Sequence, residues 1–210
     1  MINVFIADDH AIMRDGLKRI LTEEGGINVV GEAENGKEAL HKLHDGNWDI
    51  LLLDISMPGM GGLELLKQVK KEHPEKMVLI LTQYEDASMA LRFLKAGSSG
   101  YLTKIEASRE LVKAIRKVSQ GLKYVAPSIA DKLFGDFNAN ESKASHTYLS
   151  DREYSVLCRI AKGISLTKIG LELNISVSAV STYRNRILNK MNLKSNADLV
   201  RYALDNGLAE

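Results

Sequence analysis

The sequence is poor in cysteine, in long apolar runs and in any excess of charge of one sign. Cys158 is the single cysteine of 210 residues, so the chain can form neither an internal disulfide nor a cysteine-based metal site. Set among Val156, Leu157, Ile160 and Ala161, its thiol reads as core packing. No apolar stretch approaches the roughly 18 residues of a membrane span, and Met1 leads straight into a strand-like run without a signal-peptide pattern. These absences lead us to expect a cytoplasmic protein with no membrane partner. The 28 Lys+Arg and 27 Asp+Glu nearly cancel, so the overall charge points to no class of partner.

What is present is ordinary globular material, 45% hydrophobic and 26% charged, enough for two small domains. Charge is uneven between them. Residues 1–120 carry a slight negative excess, while residues 148–210 hold nine Lys+Arg against six Asp+Glu. A small basic tail is compatible with an anionic partner.

Period alternates through the first 120 residues. Short apolar or β-branched runs at Asn3–Ala7, Ile27–Val30, Ile50–Leu53, Met77–Leu81 and Gly100–Thr103 predict strands. Between and after them, Met13–Glu23, Gly36–His44, Leu63–Glu72, Ala87–Ala96 and Arg109–Val118 have helical spacing and the length that parallel crossovers require. Ser108 is placed to cap the last helix and Gly97 to end the fourth. The expectation is a five-stranded, doubly wound parallel α/β domain of flavodoxin-like type.

In such a sheet, ligands bind beyond the carboxyl ends of the strands, where strand order reverses. Asp8 and Asp9 follow the first strand, Asp54 ends the third, Thr82 ends the fourth and Lys104 follows the fifth. Three carboxylates at one edge repel one another unless a cation sits among them, and hard oxygen ligands suit Mg²⁺. With metal and ammonium at hand, a carboxylate can attack a phosphoryl group to give an aspartyl phosphate. Lys104, Thr82 and the metal would then each take one phosphoryl oxygen. His10, beside the acidic pair, is not read as a ligand.

From Gly121 to about Thr147 the pattern loosens into a linker, with a short helix after Pro127. Regular spacing resumes at LSDRE, residues 149–153, where Ser150 and Glu153 form a capping-box pair. Leu166–Leu173 is a second helix with Ile169 and Leu173 inward. A turn at Asn174 and Ile175 leads to Ser176 as the cap of a long helix running to about Met191. This is a helix-turn-helix. Val180, Ile187 and Met191 form its inward stripe; Ser178, Ser181, Thr182, Asn185 and Asn189 share the opposite face, with Arg184 and Arg186 at its margins. Small polar residues flanked by arginines suit a DNA major groove.

The motifs ADDH at 7–10, LLLDISMPGMGG at 51–62, LILTQ at 79–83 and AGSSGYLTK at 96–104 resemble the receiver domain of bacterial two-component response regulators. Residues 149–208 resemble the four-helix LuxR-type output domain, so the whole is similar to the NarL/FixJ class. The resemblance implies a receiver at 1–120, a linker at 121–147 and a helix-turn-helix DNA-binding domain at 148–210. It implies Asp54 as phosphoacceptor, Mg²⁺ on Asp9, Asp54 and the Ser56 carbonyl with Asp8 assisting through water, and Thr82 with Tyr101 as a switch pair. Ser181, Thr182 and Asn185 fall where this family touches bases, and Ala197–Asn206 where its DNA-bound dimers meet. A histidine kinase and promoter DNA are the implied partners, with a homodimer as the active state and a regulator rather than an enzyme as the class.

Three positions depart from the family pattern. Gln83 is bulkier than the small residue usual after the switch threonine, Ile105 stands where proline or an acid is common, and Ser181 and Asn185 stand where lysine is common. Two other classes are open to these residues: an aspartyl-nucleophile phosphatase, which wants an acid at the position of Ser56, and a signalling module whose tail docks a protein.

Overall fold

A computed structural model of the chain describes residues 1–83, 85–138, 146, 149–206 and 208. They form two compact units, Met1–Ala130 and Asp131–Glu210. No helix among the described residues is long and apolar enough to cross a membrane.

The first unit is a parallel sheet clothed by helices. In chain order it runs β1 (Ile2–Ala7), α1 (Ala11–Glu23), β2 (Ile27–Ala33), α2 (Gly36–Leu43), β3 (Ile50–Asp54), α3 (Gly62–Glu72), β4 (Met77–Thr82), α4 (Ala87–Lys95), β5 (Gly100–Thr103), α5 (Lys104–Ser119) and β6 (Tyr124–Val125). The strands lie in the order β2-β1-β3-β4-β5-β6. The chain steps from β1 out to β2, then returns past β1 to β3, so strand order reverses between β1 and β3. Both are interior strands, and Val4–Ala7 and Ile50–Asp54 are buried throughout. Unbroken apolar runs are the signature of strands covered on both faces.

Two expectations need correction. The sheet has six strands, not five: Tyr124 and Val125, placed by sequence in the linker, pair with Gly100 and Tyr101. The Tyr124 N–H donates to the Ser99 carbonyl at 3.1 Å and the Ala126 N–H to the Tyr101 carbonyl at 3.0 Å. A two-residue strand is too short to show a period, although both residues are good strand formers. Secondly, α5 begins at Lys104, directly after β5, and Ser108 does not cap it. Thr103 does: its Oγ1 accepts from the Glu106 N–H at 3.3 Å and donates to Glu106 Oε2 at 2.6 Å. The Thr103/Glu106 spacing satisfies the helix start five residues before the expected one.

The second unit contains α7 (Asp151–Ala161), α8 (Leu166–Leu173), α9 (Val177–Met191) and α10 (Asn196–Asp205), while α6 (Pro127–Asn138) carries the seam between the units. The capping box at α7 is formed by Ser150 and Glu153. Glu153 is itself buried and takes Lys190 Nζ at 2.7 Å, which ties the start of α7 to the end of α9. Asn174, at φ 54°, ends α8 in the left-handed region, and Ser176 Oγ caps α9 by accepting from the Ala179 N–H at 3.1 Å. The inward stripe of α9 includes Leu188 besides Val180, Ile187 and Met191. His146 Nδ1 lies 2.7 Å from the Tyr202 hydroxyl of α10, in a buried corner completed by Tyr154. Cys158 is half-buried rather than fully in the core.

The closest backbone approach in the sheet is at Gly100, where an added Cβ would stand 2.5 Å from the Tyr124 carbonyl oxygen and 2.8 Å from Leu79 Cδ1. The first obstacle is backbone, and the second is the methyl of a fully buried leucine. Gly100→Ala is expected to lower stability by about 1–3 kcal/mol, the usual cost of overpacking, read as a drop in urea midpoint. An unchanged midpoint would show that β6 is not held against β5.

Candidate acidic pocket and helix-turn-helix face

The β1/β3 reversal places the end of β1 beside the end of β3, with Ala7 opposite Leu53. Asp8 follows Ala7 and Asp54 ends β3, so both carboxylates emerge at the same edge, and both are at most 2% exposed. Because α5 starts at once after β5, Lys104 projects back over that edge. Its ammonium lies 2.7 Å from Asp8 Oδ2 and 2.8 Å from Asp54 Oδ2. Backbone donors take the other oxygens: the His10 N–H reaches Asp8 Oδ1 at 2.8 Å and the Ser56 N–H reaches Asp54 Oδ1 at 3.2 Å. Arg14, one turn into α1, donates to the Asp8 carbonyl at 2.7 Å and so holds the β1–α1 connection. Sequence reasoning missed Arg14; its place four residues after His10, on the side of α1 that faces the edge, was the available signal.

Three carboxylates and one ammonium leave the pocket short of positive charge. Burial pushes the Asp54 carboxyl above its ordinary 3.8; Lys104 pulls against that without prevailing, and Asp8 adds to the rise. Burial works to lower Lys104, but Asp54 and Asp8 together carry it above 10.5. Two buried carboxylate oxygens, Asp8 Oδ2 and Asp9 Oδ1, receive no hydrogen bond; the first has its ion pair to Lys104 and the second lies 2.9 Å from His10 Nδ1. Asp8, Asp9, His10 and Asp54 each bring one ligating atom within 4.8 Å of the others. Oxygen-rich, negatively charged and short of donors, this set fits a small divalent cation.

Thr82 ends β4 fully buried, opposite Thr103 in register. Tyr101 lies two residues before Thr103, also fully buried, its ring centroid 6.3 Å from that of Phe93 on α4. Gln83 is exposed, as is Ile105, which sits in the first turn of α5. Ser56 is exposed and not acidic, which leaves the aspartyl-nucleophile phosphatase without its second carboxylate there.

On α9, Ser178, Thr182, Asn185 and Arg186 are exposed, and Ser181 and Arg184 half-buried. Thr182 Oγ1 donates to the Ser178 carbonyl at 2.9 Å. Arg184 is held at the margin: its Nε donates to Asn196 Oδ1 at the start of α10, and its Nη1 to Asn185 Oδ1 at 3.0 Å. The helix thus offers hydroxyls, an amide and one outlying guanidinium on a single face.

Residues 4–116 match the response regulator receiver domain family, and residues 147–203 match the luxR family of bacterial regulatory proteins. The chain belongs to the response regulator family. Within that family it has the NarL/FixJ arrangement of receiver and LuxR-type halves. The response regulator UvrY of Escherichia coli (strain K12) is 35% identical over 209 residues, covering 99% of this chain and 96% of that protein. The response regulator GacA of Pseudomonas protegens is 36% identical over 210 residues, covering 100% and 99%. Among solved structures, the RcsB response regulator of Salmonella typhimurium superposes with a TM-score of 0.81 at 27% identity, covering 98% of each chain. RcsB bound to promoter DNA with the phosphomimetic BeF₃⁻ gives 0.76 at 28% identity, covering 96% and 97%.

The raised Asp54 value fixes a pH dependence for this response regulator. The folded protein holds the Asp54 proton more tightly than the unfolded chain, so this group stabilises most below its ordinary 3.8 and loses that contribution as pH rises through the raised value. Asparagine carries no such charge. Asp54→Asn is expected to gain on the wild type from about pH 4 to about pH 7, as a widening gap in urea midpoint; a constant gap would contradict the burial argument.

Proposed function

We propose that the chain is a phosphorylation-controlled, DNA-binding transcription regulator of the cytoplasm, with a receiver at 1–120, a linker at 121–147 and a DNA-binding part at 148–210. The observation that carries the reading is the Lys104 ammonium held against the buried Asp54 and Asp8 carboxylates at the strand-order reversal. A sensor histidine kinase is the donor. An Asp54 carboxylate oxygen attacks phosphorus, the P–N bond of the kinase phosphohistidine breaks, and its electron pair returns to the imidazole as the aspartyl phosphate forms.

Lys104 pairs with one phosphoryl oxygen, and the Thr82 hydroxyl donates to another. Mg²⁺, when bound through Asp9, Asp54 and the Ser56 carbonyl with Asp8 acting through water, supplies the charge that the third oxygen needs. The pocket assists its own phosphorylation and dephosphorylation but acts on no other substrate. A phosphoryl group adds about −1.5 to −2 of charge where carboxylates already outnumber the ammonium, and Thr82 and Tyr101 are the groups that answer it. Tyr101 is fully buried, and the reading has its ring turn inward as the Thr82 hydroxyl swings toward the phosphoryl group.

The output is base reading by α9, through Ser178, Ser181, Thr182 and Asn185, with Arg186 on phosphate and Arg184 at the helix margin. Two copies meeting through the Ala197–Asn206 helix occupy two half-sites of promoter DNA. A full-length structural relative supports both halves of the reading, since the structure of RcsB has been solved bound to a promoter in the presence of a phosphomimetic.

The test is intact mass after incubation with Mg²⁺ and a small acyl phosphate. Wild type is expected to gain one phosphoryl group only when metal is present, and Asp54→Ala none. Equal gain in the two proteins, or none in wild type, would contradict the assignment of Asp54.

A further inference from the structure

The proposed oxygen set leaves one donor of the pocket without a task. His10 holds the N-cap position of α1, yet its side chain makes no capping hydrogen bond; its backbone is used, the N–H by Asp8 Oδ1 and the carbonyl by the Arg14 N–H. The side chain is 56% exposed, so packing does not explain its placement. Its Nδ1 nevertheless stands 2.9 Å from Asp9 Oδ1 and 3.4 Å from Asp8 Oδ1.

A hydrogen bond or imidazolium pair would aim the ring N–H at Asp9 Oδ1. That oxygen is buried and receives no hydrogen bond, so Nδ1 and Oδ1 lie side by side with no proton directed between them. Such a disposition belongs to atoms that share an ion. Ligands bound cis to one ion at about 2.1 Å are about 3 Å apart, and each points at the ion rather than at its neighbour. Lys104 leaves the same side open, because its ammonium engages the Oδ2 atoms of Asp8 and Asp54. The Oδ1 atoms of Asp8 and Asp54 accept one backbone N–H each and keep further lone pairs.

We propose that His10 is a nitrogen ligand in the acidic pocket, and that it gives this response regulator a preference for first-row transition ions over Mg²⁺. The inference rests on the reading of the pocket as a metal site. It reverses the sequence expectation, which did not read His10 as a ligand. Mg²⁺ takes oxygen and keeps its waters, so an imidazole adds little for it; Co²⁺, Ni²⁺ and Zn²⁺ gain most from the same nitrogen. Both kinds of ion would use Asp9 and Asp54, so binding of one excludes the other.

The experiment is isothermal titration calorimetry of the full chain with MgCl₂ and with CoCl₂, in wild type, His10→Ala and Asp9→Asn. His10→Ala removes no capping bond and leaves the backbone donor to Asp8 in place, so its Mg²⁺ isotherm also reports that the pocket is intact. The expected result is a loss of about tenfold or more in Co²⁺ affinity in His10→Ala with the Mg²⁺ isotherm retained, and competition between the two ions in wild type. Co²⁺ heat that survives in Asp9→Asn belongs to other histidines and is subtracted. Equal Co²⁺ affinity in wild type and His10→Ala, or equal losses for both ions, would overturn the proposal. Full retention of Mg²⁺ and Co²⁺ binding in Asp9→Asn would instead overturn the metal-site reading beneath it.

Discussion

Everything in the first unit is arranged around a charge imbalance that the fold does not relieve. Asp8 and Asp54 are buried beside each other at the β1/β3 reversal, Asp9 adds a third carboxylate, and Lys104 is the ammonium set among them. Burial is the main cause of the rise in the Asp54 value, and the nearby Asp8 charge adds to it. Such a site is poised to take up positive charge or to transfer its own negative charge to an electrophile. The sheet makes the arrangement durable, because Asp54 is the last residue of a buried strand and Asp8 follows directly on the buried end of β1, in a connection held by Arg14.

The same geometry couples the pocket to the elements around it. Lys104 is the first residue of α5, with no intervening loop and with Thr103 capping the helix, so any displacement of the ammonium acts directly on that helix. Tyr101 lies between the pocket and β6, which pairs with its backbone on the outer side of β5. On the proposed reading, a phosphoryl group that draws Lys104 and Thr82 toward itself acts on α5, β5 and the start of the segment that leads to the second unit. That unit has its own anchor in the Glu153 and Lys190 pair, which binds α7 to α9 and leaves the polar face of α9 outward.

Strong local signals were legible in the sequence. Four apolar residues followed by Asp54 could only be a covered strand with a carboxylate at its end, and Gly97 adopts φ 103° where a left-handed residue closes α4. The Ser150 and Glu153 spacing located α7, and the inward stripe placed α9. Features that depend on tertiary context were not legible. β6 is two residues long and exists because Gly100 lets a chain approach β5. The start of α5 was misplaced because Thr103 is both the last residue of a strand and a helix cap. Of the site, residue types and strand ends revealed which groups meet, whereas the direction of the His10 ring and the tether from Asn196 to Arg184 arise only once side chains are packed.

The central claim is that charge placed at Asp54 governs DNA binding by the second unit. It is tested most directly by measuring, on one preparation, the affinity for a selected genomic fragment before and after phosphorylation with Mg²⁺ and acyl phosphate. The account predicts tighter binding, with two copies per site, after phosphorylation. Identical affinity and stoichiometry in the two states would contradict it.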